Sequence, residues 1–166
     1  MLYLLAQKME VIVKEKNRSI IDTVCMIIQQ ADGWLLQARD NKDGIWNPGK
    51  ISHWGGRFEP EDYMVASNAA LRELREETGL DENHVELELF SVEYYASTSR
   101  DGTPIAYRCH CFLVRIIDDS SVYVHEGQGA VLVPFDVDYS DLRWNINQFT
   151  AELLFKLNNK KYEAQA

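Results

Sequence analysis

The sequence predicts an α/β (α+β) sandwich of several strands and two helices. Three observations predict it. β-Branched apolar runs occur in both halves of the chain. One helical segment lies mid-chain, behind a loop rich in Gly, Asn and Pro. A second helical period lies near the end. The order lacks the regular alternation of a dinucleotide-binding fold, and neither GxGxxG nor GxxxxGK[ST] occurs. At 166 residues with no internal repeat, a single domain over 1–166 is expected.

Residues 1–18 carry an apolar run too short for a signal peptide or a membrane span, so an arm or short strand is expected there. Ser19 to Gln30 is β-branched and apolar, and predicts a buried strand. Ala31-Asp32-Gly33 turns the chain, and Trp34 to Arg39 returns as a second strand in a hairpin. NKDGIWNPGKISHWGG predicts loop, with a short strand near Ile51 to Trp54. Pro60 limits how far back the next helix can reach. Asp62 is its expected N-cap and Gly79 its C′ residue, so the helix is expected over Tyr63 to Thr78.

Val85 to Ser97 predicts a strand, Arg100 to Thr103 a turn, and Ile105 to Ile117 a long strand. HEGQGAVLVPFD predicts a glycine-containing loop leading into a short strand. Asn145 to Asn159 carries Phe149, Leu153, Leu154 and Leu157 at helical spacing, and residues 160–166 are expected to fray.

Lys and Arg total 17 against 26 Asp and Glu, a formal charge of −9. That disfavours nonspecific binding to nucleic acid or an anionic membrane. A small anionic substrate stays open, because a divalent cation inverts the local field. The three cysteines, Cys25, Cys109 and Cys111, sit in strand-like segments, which suggests reduced thiols and a cytoplasmic location. Cys109-His110-Cys111 is a poor zinc site, because its ligands are adjacent and no second Cys/His pair is near.

On the mid-chain helix, Glu73, Glu76 and Glu77 fall at i, i+3 and i+4 and share one arc with Ala66, Ala69 and Ala70. Small residues mark close approach to another element, so the acids are expected to face protein or a cleft. Clustered there, they would repel and suffer desolvation, which a divalent cation relieves; all-oxygen ligands favour Mg²⁺ or Mn²⁺. A solvated acidic face with an Arg72–Glu76 pair explains the same helix.

Arg72-Glu73-Leu74-Arg75-Glu76-Glu77-Thr78-Gly79-Leu80 resembles the second half of the Nudix box of MutT-like hydrolases, with every specified position met. The likeness extends over Trp34 to Leu80. It implies an α/β/α sandwich with a mixed central sheet. One departure is concrete. The family leaves thirteen residues between the box glycine and the arginine, whereas Arg57 to Leu71 makes fifteen. Counting forward from Gly56, the first glutamate position holds Asp62; counting back from Arg72, it holds Met64. Asp62 or Glu61 could substitute after a two-residue insertion.

The resemblance implies a Mg²⁺- or Mn²⁺-dependent pyrophosphohydrolase acting on a nucleoside diphosphate linked to another group, such as a nucleoside triphosphate or nucleotide sugar. Glu73, Glu76 and Glu77 are then the metal ligands, joined by a main-chain carbonyl of Gly55 or Gly56, and Arg72 orients a carboxylate. The general base is a helix glutamate or a later loop residue. Glu126 is the best loop candidate, with His125 beside it, because the glycines that follow permit close approach. Arg39 and Arg57 are candidates for substrate phosphate. Trp46 leads the aromatic candidates for stacking, ahead of Trp54, Tyr94, Tyr95 and Trp144. The expected partner is a small nucleotide-type molecule. Many relatives form homodimers, although no interface is marked in the sequence. The alternative is a non-catalytic Nudix-like module that senses a nucleotide or binds protein, favoured by the stretched first half of the box.

Overall fold

The structure is a computed structural model and describes residues 20–98, 104–118 and 120–163. The arm expected over 1–18, the turn at 100–103 and the tail from 164 onward lie outside the described residues. The elements are β1 (Ile20–Gln29), β2 (Gly33–Ala38), β3 (Ile51–Ser52), α1 (Ala66–Thr78), β4 (Val85–Thr98), β5 (Pro104–Ile116), β6 (Gly129–Pro134) and α2 (Gln148–Glu163). They build one six-stranded mixed sheet in the order β3-β2-β1-β5-β4, with β6 also paired to β2.

β1 is the central strand. It runs parallel to β5 from Ile20↔Ala106 to Gln29↔Arg115. Its alternating side chains feed two cores. Val24, Met26 and Ile28 pack in one core with Ala69, Ala70 and Leu74 of α1. Cys25 and Ile27 pack in the other with Leu153, Leu154 and Leu157 of α2. Burying each of those leucines contributes roughly 1.5–3 kcal/mol. The result is the three-layer α/β/α sandwich.

The expected hairpin is brief. β1 and β2 pair at Ile28↔Leu35 and Gln29↔Trp34. They then separate, and β2 pairs along its whole length with β6, from Gly33↔Pro134 to Ala38↔Gly129. The segment 54–57 enters the space so opened and bridges to β1 at Met26↔Trp54 and Thr23↔Arg57. This splay positions the candidate site.

Two helix boundaries differ from the sequence expectation. α1 starts at Ala66, not Tyr63, and its N-cap position is Val65, not Asp62. Pro60–Asp62 form a separate 3-10 turn, and Tyr63 and Met64 follow in the left-handed region at φ 52° and 61°. A helix cannot pass through two left-handed residues. α2 starts at Gln148, where the Asn147 side chain accepts the Thr150 N–H at 3.0 Å. It continues to Glu163, so residues 160–163 are helical rather than part of a frayed tail. Gly79 ends α1 as expected: it lies at φ 73° and its N–H donates to the Arg75 carbonyl at 3.0 Å.

Candidate active site

The site forms where α1 meets the glycine pair of segment 54–57. Ala69 and Ala70 are fully buried, which lets the α1 backbone approach β1 closely. Gly55 has no room for a side chain: a Cβ there would sit 2.3 Å from the Val24 carbonyl oxygen, and φ is 125°. Gly56 is needed for a different reason, because its Cβ would meet the Glu73 carboxylate at 2.3 Å.

The three glutamates of α1 do not share one environment. Glu77 is buried at 3% exposure. Its Oε2 accepts the Gly55 N–H at 2.7 Å and its Oε1 accepts Gln37 Nε2–H at 3.0 Å. Burial pushes its carboxyl up to about 8; the charges of Glu73 and Glu126 add to this, and the Gly55 and Gln37 hydrogen bonds oppose it. Glu73 is partly buried and is also raised, mainly by burial and against the pull of Arg72. Glu76 is the exception to the expected inward face, since 56% of its side chain is exposed. It lies at the helix edge, where neither core reaches.

Arg72 organises the rest. Its five N–H groups are all used. Nε and Nη2 donate to the two Asp62 oxygens at 3.1 and 3.0 Å. Nη1 donates to Glu73 Oε1 at 2.9 Å and Glu76 Oε2 at 3.1 Å, and Nη2 also donates to the Arg57 carbonyl at 2.8 Å. The i,i+4 pair with Glu76 is therefore one contact of five. Asp62 is 2% exposed and also accepts the Glu59 N–H at 2.7 Å. The Arg72 guanidinium holds its carboxyl below the usual range. Asp62, the residue reached by counting forward from Gly56, is thus the carboxylate that meets Arg72. Tyr63 and Met64, which follow it, project into solvent at 81% and 68% exposure.

The loop at 125–128 closes the other side. The His125 N–H donates to the Glu77 carbonyl at 2.9 Å, and the Gln128 N–H to the Ala38 carbonyl at 2.8 Å. Gly127, at φ 84°, lies over Ala38, whose carbonyl oxygen would be 2.6 Å from a Cβ. Glu126 is exposed, and its charge reaches both Glu73 and Glu77.

Arg39, Trp46, Gly55, Gly56, Tyr95 and Tyr107 line a cavity of about 210 Å³ beside these carboxylates. Arg57 and His53 also border it. A second cavity of about 370 Å³ shares Trp46, His53 and Tyr95 and extends to Asn147 and Phe149. Tyr95 stacks on Tyr107 with centroids 4.8 Å apart, and half-exposed Trp46 stands 6.1 Å from Tyr95. Trp54 is fully buried and donates to the Leu35 carbonyl, and Trp144 packs against the α2-side core. Those two are structural. Tyr94 is half-buried and borders neither cavity.

Sequence reasoning missed Gln37, His53, Tyr107 and Phe149. Only Gln37 carried a signal, as a polar residue inside an apolar strand.

The donor set suits a hard divalent cation: carboxylate oxygens of Glu73, Glu77, Glu76 and Glu126, with main-chain carbonyls of the glycine pair adjacent. The Gly56 carbonyl accepts the Val24 N–H at 2.9 Å and keeps one lone pair. A carboxyl raised by burial, with like-charged neighbours adding to it, is what such a cation would relieve. Among the described residues, only Cys25, Cys109 and Cys111 bring three metal-capable donor atoms within 4.8 Å of one another. Those soft thiols are buried in the α2-side core and do not suit Mg²⁺ or Mn²⁺. His110, between two of them, instead packs against Phe58 with its Nε2 3.5 Å from Asp22.

Comparison with known proteins gives concordant results. Residues 20–156 match the family described as NUDIX domain. No curated protein matches the sequence. Among solved structures, a C. elegans Ap4A hydrolase complex aligns with TM-score 0.61 and 15% identity, covering 89% of this chain and 100% of that one. The E. coli dihydroneopterin triphosphate pyrophosphohydrolase aligns with TM-score 0.63 and 13% identity, covering 84% and 95%. The E. coli ORF135 protein aligns with TM-score 0.54 and 23% identity, covering 83% and 88%. At these identities the likeness shows the fold. No helix among the described residues is long and apolar enough to cross a membrane.

Proposed function

The chain belongs to the Nudix hydrolase family, and from that premise we propose that it is a pyrophosphohydrolase that cleaves a diphosphate bond in a nucleoside diphosphate linked to another group. The observation that carries this reading is Glu77. Its carboxyl is 3% exposed and raised to about 8 by burial, with the charges of Glu73 and Glu126 adding to the cost of ionising it. It makes sense as one side of a cation site.

Glu73, Glu76 and Glu77 would hold Mg²⁺ or Mn²⁺, with a carbonyl of Gly55 or Gly56 as a further oxygen donor. When bound, the cation neutralises phosphate charge and lowers the pKa of water. The protein supplies the rest. Gly55 and Gln37 orient the Glu77 carboxylate through hydrogen bonds at 2.7 and 3.0 Å. Arg72, braced by Asp62, turns Glu73 toward Gly56. Glu126 stands at the cleft mouth, where it can take a proton from attacking water. Arg39 and Arg57 border the cavity beside the glycines and place positive charge near the phosphates. Trp46 and Tyr95 offer aromatic faces to a base or similar ring further along the cleft.

The feature that favours a non-catalytic module is the two-residue insertion. It is consistent with Tyr63 and Met64 lying exposed in solvent, while the Glu73, Glu76 and Glu77 spacing on α1 is intact. We therefore place catalysis first.

The test is incubation with Mg²⁺ or Mn²⁺ and nucleoside triphosphates, nucleotide sugars and dinucleoside polyphosphates, read by phosphorus NMR. Nucleoside monophosphate with pyrophosphate or sugar phosphate is expected from the wild type and not from Glu77→Gln. Orthophosphate alone, or equal rates in the variant, would overturn the reading.

A further inference from the structure

We propose that Gln37 is a positioning residue that couples Arg39, beside the substrate cavity, to the Glu77 carboxylate. The inference rests on the diphosphatase reading above and assigns a role that the Nudix box does not contain.

Gln37 lies in β2 and is 0% exposed, in a strand otherwise built from Gly, Trp, Leu and Ala. Its amide is satisfied in one orientation only. Nε2 donates to Glu77 Oε1 at 3.0 Å, and Oε1 accepts from Arg39 Nη1 at 2.8 Å. A guanidinium only donates, so Arg39 fixes the amide oxygen on its side and the NH₂ toward Glu77. Flipping the amide would set donor against donor at Arg39. The same Nε2 also lies 3.5 Å from the Glu126 carbonyl. One buried side chain thus touches three of the groups assigned to the site.

Arg39 polarises the Gln37 carbonyl, which strengthens the N–H bond to Glu77 by the cooperativity of linked hydrogen bonds. Arg39 and Gln37 also border a cavity of about 320 Å³ with Lys42 and Glu126, so the linkage lies along one wall of the cleft. Two consequences follow. The orientation of Glu77 depends on Gln37, and part of the effect of Arg39 on cation affinity passes through Gln37. Outer groups that orient a metal ligand typically change affinity 10- to 100-fold when removed.

The experiment is a double-mutant cycle on Mn²⁺ affinity, read by EPR of free Mn²⁺ without substrate. The variants are Gln37→Met, Arg39→Met and both together. Methionine keeps the length of Gln37 and removes its hydrogen bonds. Gln37→Met is expected to weaken Mn²⁺ binding about tenfold or more. Removing Arg39 also removes a repulsive charge, so its effect in one background alone is not diagnostic; the cycle cancels that direct part. The effect of Arg39→Met should differ at least about twofold between the wild-type and Gln37→Met backgrounds. If Gln37→Met does not fold, Gln37→Asn replaces it, since it is polar but one methylene too short to span both partners.

Unchanged Mn²⁺ affinity in the folded Gln37 variants, with wild-type hydrolysis intact, overturns this proposal alone. So does an Arg39 effect that is identical in both backgrounds. Absence of Mn²⁺ binding by the wild type overturns this proposal and the diphosphatase reading together.

Discussion

At the scale of single residues, the site is defined by how each carboxyl is surrounded. Glu77 is raised to about 8 by burial, with Glu73 on the same helix and Glu126 in the facing loop adding negative charge. The sign follows from linkage. A carboxyl whose folded pKa is raised binds more protons folded than unfolded, so its stabilising contribution is present at low pH and is lost as pH rises from about 4.5 to 8. In EDTA, urea denaturation should show wild-type stability falling relative to Glu77→Gln across that interval. Parallel profiles for the two proteins would mean that Glu77 is ionised throughout. Asp62 behaves oppositely. It is lowered by Arg72, so its contribution is present at neutral pH and is lost only in acid. Asp62→Ala leaves two Arg72 donors without a carboxylate and should cost about 1.5–3 kcal/mol, the usual value of a charged hydrogen-bonded pair. Chemical denaturation at pH 7 measures it, and a change below about 0.5 kcal/mol would show that Asp62 is not the brace. Gly56→Ala makes a sharper distinction. Its backbone is not left-handed, and the added Cβ meets the movable Glu73 carboxylate rather than main chain. Melting temperature should hold while Mn²⁺ affinity drops about tenfold; a variant with unchanged affinity would remove Glu73 from the site.

At the scale of elements, α1 is the piece that the sequence describes most fully, and its N-terminus is where the description stops. The carboxylate spacing, the buried alanines and the Gly79 stop are local properties, so they were legible. Gly79 provides a clean check: it lies at φ 73°, and the nearest atom to a Cβ there would be 3.8 Å away. Gly79→Ala should therefore cost only the left-handed penalty of about 1–2 kcal/mol, measurable by denaturation, without disturbing packing. A larger loss would point to a clash that the geometry does not contain. The start of α1 at Ala66 was not legible, because it depends on Asp62 reaching Arg72 ten residues on. Counting fixed the two possible registers, and only the tertiary ion pair selects one. β2 was legible as a strand, but its full-length pairing with β6 was not. The short β1–β2 contact and the long β2–β6 ladder separate partners that are adjacent in sequence from partners that are adjacent in space. Gln37 stayed hidden for the same reason. Arg39 is only two residues on, but Glu77 and the Glu126 carbonyl come from distant parts of the chain.

At the scale of the whole molecule, the cleft exists because β1 and β2 part company after two residue pairs and segment 54–57 enters the opening. Carboxylates gather at the α1 side of that opening, and aromatic side chains gather toward α2. The same sheet hides its thiols. Parallel pairing of β1 with β5 sets Cys25 opposite Cys111, with Cys109 two residues earlier on the same face. All three are buried and free, so a thiol reagent such as DTNB should modify none in the native protein and three after denaturation. Rapid native labelling would contradict the packing of the α2-side core. The central claim is that the Glu77-centred carboxylates form a divalent-cation site. Isothermal titration of Mn²⁺ into wild type and Glu77→Gln tests it most directly. Saturable binding by the wild type and at least about tenfold weaker binding by the variant are expected. Equal affinity in the two proteins, or no binding by the wild type, would contradict it.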